Sequence, residues 1–146
     1  MSEKKLVKVA QTFRWEMGHR LPHHSGGCRN LHGHSYKMVV ELTGWPRNDG
    51  MVIDYYDIKS EIKPLVAALD HCFLCSADDE LMAAFLKTVE MKTVYVDFPS
   101  TAENIALYFL AAIRSGLKHH ENLRSVAVRV YETENEYAEV SADFRK

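Results

Sequence analysis

A chain of 146 residues, 47% apolar and 26% charged, has the size and composition of one globular domain, so residues 1–146 are expected to fold as a unit, with disorder and collagen-like repeats excluded. Its 18 basic and 20 acidic residues give a net charge of -2, which argues against general nucleic-acid or anionic-membrane binding and leaves room for a local phosphate pocket. Three cysteines make no disulfide framework, no apolar run approaches the roughly 20 residues of a membrane span, and the start MSEKKLVKVAQTF lacks a signal-peptide stretch, so a cytoplasmic protein is expected.

Residues 6–17 alternate, with Val7, Val9, Phe13, Trp15 and Met17 on one side and Lys8, Thr12, Arg14 and Glu16 on the other, the period of a half-buried strand. A loop rich in His and Gly spans about 20–31, and a second strand is expected over 34–43, where Tyr36, Met38, Val40 and Leu42 oppose Lys37 and Glu41. Turn chemistry at 44–50 ends it. From Asp54, which fits an N-cap, Tyr55, Ile58, Ile62, Leu65, Val66 and Leu69 fall at helical spacing up to Asp70. A short helix over 79–88 and an extended piece at 93–96 follow. Ser100 and Glu103 fit a capping box opening a second long helix, with the stripe Ile105, Phe109, Ala112 and Ile113 and a stop at Gly116. Residues 125–132 and 137–144 alternate around Thr133-Glu134-Asn135-Glu136 as a hairpin. The economical solution is α+β: a four-stranded antiparallel sheet in the order ββααββ, with two helices on one face.

Eight histidines stand at 19, 23, 24, 32, 34, 71, 119 and 120. In His32-Gly33-His34 an extended backbone sends both imidazoles to one side, about 6.6 Å apart at the backbone, and His19 can join them if the first two strands are neighbours. Three neutral imidazoles with an open fourth position make a catalytic zinc arrangement; three histidines packed or hydrogen-bonded at a sheet end would read the same way. His23, His24, His119 and His120 read as solvent-facing loop residues.

The stretch Gly27-Cys28-Arg29-Asn30-Leu31-His32-Gly33-His34-Ser35-Tyr36, with His19-Arg20-Leu21-Pro22 before it, resembles the 6-pyruvoyltetrahydropterin synthase and 6-carboxytetrahydropterin synthase family. Four further blocks in the same order carry the resemblance across nearly the whole chain: Gly50-Met51-Val52-Ile53-Asp54-Tyr55, Leu69-Asp70-His71, Ser100-Thr101-Ala102-Glu103-Asn104 and Tyr131-Glu132-Thr133. The resemblance implies a tunnelling fold, or T-fold, whose subunits join sheets into a barrel of trimers, two of which stack as a homohexamer with active sites between subunits. It implies zinc held by His19, His32 and His34, Cys28 as catalytic base, Asp70 and His71 as its relay partners, and Glu132 as the grip on a pterin ring. Thr101 resembles a pterin contact, and Glu103 is explained by the capping box as well as by substrate binding.

The activity implied is a zinc-dependent lyase acting on 7,8-dihydroneopterin triphosphate, giving 6-carboxy-7,8-dihydropterin on the queuosine and deazapurine route. The alternatives are release of triphosphate to give 6-pyruvoyltetrahydropterin, or a zinc-stabilised binding or assembly module without turnover. Each residue also has a plain reading: Cys28 as a small loop thiol, Asp70-His71 as a helix end, Glu132 as a strand-end surface residue. Cys72 and Cys75 form a C-x-x-C with no second pair beside it, which argues against a redox or second zinc site.

Overall fold

The computed structural model describes residues 3–145. Its elements in chain order are β1 (Val7–His19), β2 (His32–Gly44), α1 (Tyr55–Leu69), β3 (Cys72–Ser76), α2 (Glu80–Leu86), β4 (Thr93–Val96), α3 (Ala102–Leu117), β5 (Leu123–Thr133) and β6 (Glu136–Asp143), with one 3-10 turn at Gly27–Arg29. The strands form one sheet in the order β4-β3-β1-β2-β5-β6. The expected four-stranded antiparallel sheet with two helices is therefore corrected to six strands and three helices among the described residues. The sheet is also mixed, since β1 pairs with β3, and β3 with β4, in parallel.

The extended piece expected at 93–96 is β4 and the short helix expected at 79–88 is α2; the strand not expected is β3, all five of whose residues are buried. Cys72 and Leu74 join the main core, while Phe73 and Cys75 pack with Met82 and Leu86 of α2 on the other face. A parallel strand covered on both faces has no polar side and so shows no alternation. The long strands do alternate: Phe13, Trp15, Met17 and His19 of β1 are buried, as are Tyr36, Met38, Val40 and Leu42 of β2. Their ladder runs unbroken from Val7↔Gly44 to His19↔His32.

Helices α1 and α3 cover that same face with Ile58, Ile62, Val66 and Leu69 from one and Ile105, Phe109, Ile113 and Leu117 from the other. Asp54 caps α1, its carboxylate accepting the Tyr56 N–H at 2.8 Å. The cap of α3 is Thr101, whose hydroxyl accepts the Asn104 N–H at 3.2 Å, and not Ser100, which is fully buried and turned toward His19. Gly116 lies inside the last turn of α3, with the Glu61 side chain of α1 packed over its open side, and does not stop the helix.

Beneath the site, the cross-strand pair Trp15 and Tyr36 stacks with ring centroids 5.2 Å apart, and Phe109 of α3 leans on Trp15 at 5.3 Å. This aromatic layer supports the sheet end from which the histidines project. Phe109 is completely buried, so Phe109→Ala is expected to cost about 3–5 kcal/mol of folding stability, read as a lower denaturant midpoint at unchanged slope. A loss under about 1 kcal/mol would mean that this layer is not tightly packed.

Candidate metal centre and active site

Antiparallel pairing sets His19 opposite His32 and Met17 opposite His34, so all three imidazoles leave on the helix-covered face at one end of the sheet. One ligand atom from each lies within 4.8 Å of the others. Ring centroids are 4.6 Å apart for His19 and His32, 5.2 Å for His19 and His34, and 5.0 Å for His32 and His34. His19 is buried and the other two are half-buried.

The surrounding hydrogen bonds select which nitrogen each ring offers. Nδ1 of His19 donates to the Ser100 carbonyl at 2.8 Å, with the Ser100 hydroxyl 3.1 Å away, and Nδ1 of His32 donates to the Asn30 carbonyl at 2.7 Å. Each donation leaves the lone pair on Nε2, the usual second-sphere arrangement of a metal-binding imidazole. Nε2 of His34 is buried without a hydrogen-bond partner, an arrangement that costs free energy unless something else binds there. Burial pushes the His19 pKa down to about 4, and burial together with the charge of His32 lowers that of His34, so these rings are neutral bases near pH 7. Neutral nitrogen donors of this kind suit zinc. No Cys, Asp or Glu among the described residues joins the set, so three nitrogens alone would leave a coordination position open. The Tyr36 hydroxyl stands 3.4 Å from His19 Nε2.

Beside the histidines, Glu132 of β5 places Oε2 3.7 Å from His34 Nε2. Glu132, Thr101 and Glu103 line one cavity of about 210 Å³, with Leu21 and Tyr137 supplying apolar walls. Burial, then the charge of Glu103, raises the Glu132 pKa above the ordinary glutamate range. A carboxylate held this way gains by accepting N–H bonds from a bound ring.

Cys28 lies half-buried on the 3-10 turn between β1 and β2, where its carbonyl accepts the Leu21 N–H at 2.8 Å. That loop is moored by Arg20, whose guanidinium donates to both Asp79 oxygens at 2.6 Å. Asp79 is buried, also caps α2, and was not flagged by any sequence motif, because the pair is 59 residues apart.

Asp70 and His71 sit apart from the triad. Asp70 Oδ1 accepts from His71 Nδ1 at 2.9 Å and from the Glu16 N–H at 3.0 Å. The Glu16 backbone bond, with help from His71, holds the Asp70 carboxyl below the usual carboxylate range. His71 adjoins Glu16 and Ser35 around a second cavity, whose lining also includes Met17 and His34. Glu16 and Ser35 are a cross-strand pair whose side chains alternate to the face opposite Met17 and His34. One chain thus brings together His19, His32, His34, Glu132, Thr101 and Glu103, while Asp70 and His71 pair with each other and with the Glu16 main chain of β1.

Comparison with known proteins gives a consistent set of matches. The sequence profile described as 6-pyruvoyl tetrahydropterin synthase matches residues 8–143. The 6-carboxy-5,6,7,8-tetrahydropterin synthase of Haemophilus influenzae is 37% identical over 142 residues, covering 92% of this chain and 98% of that protein. The protein of the same name from Rickettsia typhi is 30% identical over 138 residues, covering 92% and 100%. Among solved structures, an uncharacterized protein from Wolinella succinogenes superposes with TM-score 0.80 at 25% identity, covering 93% of this chain and 98% of the other. A 6-pyruvoyltetrahydropterin synthase from Plasmodium vivax gives 0.77 at 21% identity, covering 95% and 99%.

The Arg20–Asp79 pair carries a stability prediction with a defined sign. The Arg20 hydrogen bonds lower the Asp79 pKa, so its stabilisation is fully present above the unfolded value near 3.8 and is lost as pH falls through the lower folded value. Asp79→Asn is expected to cost about 2–3 kcal/mol at pH 7 and to flatten the stability profile below about pH 4, as measured by urea unfolding across pH.

Proposed function

Because the chain belongs to the 6-pyruvoyl tetrahydropterin synthase family, we propose that it is a zinc-dependent lyase that takes 7,8-dihydroneopterin triphosphate and one water to 6-carboxy-5,6,7,8-tetrahydropterin, acetaldehyde and triphosphate, on the route to deazapurine nucleosides such as queuosine. The product is the tetrahydro ring and not the 7,8-dihydro ring, because the two electrons lost by the side-chain carbon are gained by the ring. The observation that carries the zinc part is the triad itself, with two rings oriented through Nδ1 and a third whose Nε2 is buried and unpartnered. The 6-carboxy product is favoured by the name of the relative that is 37% identical.

In this reading His19, His32 and His34 hold the metal, and zinc supplies Lewis-acid polarisation of the substrate's side-chain oxygens. Glu132 accepts two parallel N–H bonds from the amino group and ring nitrogen of the pterin, fixing the ring beside the triad, with Thr101 and Glu103 at the same cavity. Cys28, as thiolate, takes the proton from the side-chain carbon. Asp70 holds the Nδ1–H of His71 and leaves Nε2 as the atom that moves a proton.

The His71 side chain is three-quarters exposed in the single chain, so the pair is free to act on substrate held by a neighbouring copy. The working unit is then a homo-oligomer, proposed as a hexamer of two stacked trimers of this single domain. The outer strands β4 and β6 are the edges available for joining sheets between copies.

Turnover of dihydroneopterin triphosphate is expected from the purified protein and is expected to vanish on chelation and return with zinc. Mass spectrometry should find the 6-carboxy ring product; a three-carbon keto side chain retained on the ring would assign the 6-pyruvoyl reaction instead. Cys28→Ala is expected to keep zinc and lower kcat by about 10²–10⁴-fold, whereas joint loss of metal and fold would make Cys28 a ligand of a structural site.

A second experiment tests the division between copies. Cys28→Ala and His71→Ala, each nearly inactive alone, are expected to regain activity when unfolded together and reassembled, because some mixed sites then contain both wild-type groups. Absence of recovery, with mixed oligomers demonstrated, would place both groups in one chain's site.

A further inference from the structure

The turn that carries Asp70 and His71 has an unusual backbone. His71 is the sole non-glycine residue with positive φ among those described, at 61°, a left-handed conformation that costs a β-carbon-bearing residue free energy and persists only when its surroundings hold it. Part of that hold is the His71 N–H, which donates to the Glu16 carbonyl of β1 and not back into α1. In a continued helix this N–H would have closed on the carbonyl of Ala67, four residues earlier.

Diverting the His71 N–H leaves the Ala67 carbonyl, and that of Asp70 beyond the helix end, without a main-chain partner from α1. Lys92 fills both positions: its ammonium donates to the Ala67 carbonyl and to the Asp70 carbonyl, each at 2.7 Å. The lysine is itself fixed at the backbone, where its carbonyl accepts the Phe73 N–H at 3.0 Å, two residues beyond His71. The positive charge also sits at the negative end of the α1 dipole. Lys92 lies 22 residues from Asp70 in sequence, and neither composition nor motif marks it.

We infer that Lys92 is a positioning residue for the Asp70–His71 pair: by bonding the two carbonyls released when His71 turns left-handed, it holds the His71 ring in line with the Asp70 carboxylate. The inference rests on the catalytic reading of Asp70 and His71. Lys92 itself touches no reacting atom. Its effect therefore reaches the reaction through His71 and leaves the triad and the Glu132 cavity undisturbed.

The test is a double-mutant cycle on the full chain, assayed with dihydroneopterin triphosphate, with zinc content and thermal unfolding measured on every variant. Lys92→Met is expected to lower kcat by about 10- to 100-fold at nearly constant KM, because the pair is misplaced while substrate binding is intact. Lys92→Arg, which keeps charge and several donors, is expected to recover most of kcat. In the His71→Ala background, adding Lys92→Met is expected to change kcat by no more than about twofold, since the group through which it acts is gone. A wild-type kcat in Lys92→Met beside an inactive His71→Ala would overturn the role of Lys92 alone. An equal fall in both backgrounds would also overturn it, marking a general structural contribution. Full activity in His71→Ala would overturn the catalytic reading of the pair and the inference with it. Should Lys92→Met fail to fold, a folded, zinc-loaded Lys92→Arg as inactive as His71→Ala would overturn the proposal, and recovery would support it.

Discussion

The register between β1 and β2 is the constraint on which the candidate metal centre depends. His19 reaches His32 and His34 because it ends one strand, they begin the next, and thirteen consecutive pairs keep the alternation in phase from Val7↔Gly44 to that end. A slip of one residue would send the imidazoles to the face that carries Glu16 and Ser35. What prevents the slip is burial: Phe13, Trp15, Met17, Tyr36, Met38 and Val40 share the phase of the histidines and would all be exposed by the same shift. The core that folds the sheet therefore also aligns the site, and the Trp15–Tyr36 stack is the last apolar layer before the chemistry starts.

The two groups of polar side chains at this end of the sheet sit in different surroundings. The helix-covered face holds neutral nitrogens and a half-buried carboxylate, a dry setting in which a cation and a polar ring are gripped strongly. The Asp70–His71 pair is more solvated, with His71 three-quarters exposed in its side chain. An exposed relay is an inefficient device for an isolated chain, since water competes for every proton it moves. Enclosure by a neighbouring copy removes that competition, which is why the proposed reaction and the proposed assembly are physically linked.

Legibility in the sequence followed the covering of each element. β1, β2, β5 and β6 have polar alternate positions and were recognisable by period, and α1 was recognisable by its stripe and by Asp54. β3 was not, because Cys72, Phe73, Leu74 and Cys75 are apolar on both sides and follow directly on a helix. The cap of α3 was misplaced by one residue because Ser100 and Thr101 are chemically equivalent caps; only the long-range contact with His19, 81 residues away, draws Ser100 into the core. His19, His32 and His34 were nameable from spacing plus one strand pairing. The placement of His71 against β1 was not, since it depends on the parallel pairing Met17↔Cys72 and on a left-handed residue that propensity does not foresee.

The three thiols show how tertiary placement separates residues of one chemical type. The C-x-x-C spacing of Cys72 and Cys75 suggests a pair, yet in an extended strand residues three apart point to opposite faces, and here one thiol enters the main core while the other lies under α2. They cannot converge on a metal or on each other. Burial raises the pKa of Cys72 to about 11 and that of Cys75 in the same direction, so both remain protonated and poorly nucleophilic near neutrality. Cys28 is placed differently, half-buried on a turn in the loop joining His19 to His32. Of the three thiols, Cys28 alone stands outside the regular strands and helices, so it alone can be reached without opening an element of the core.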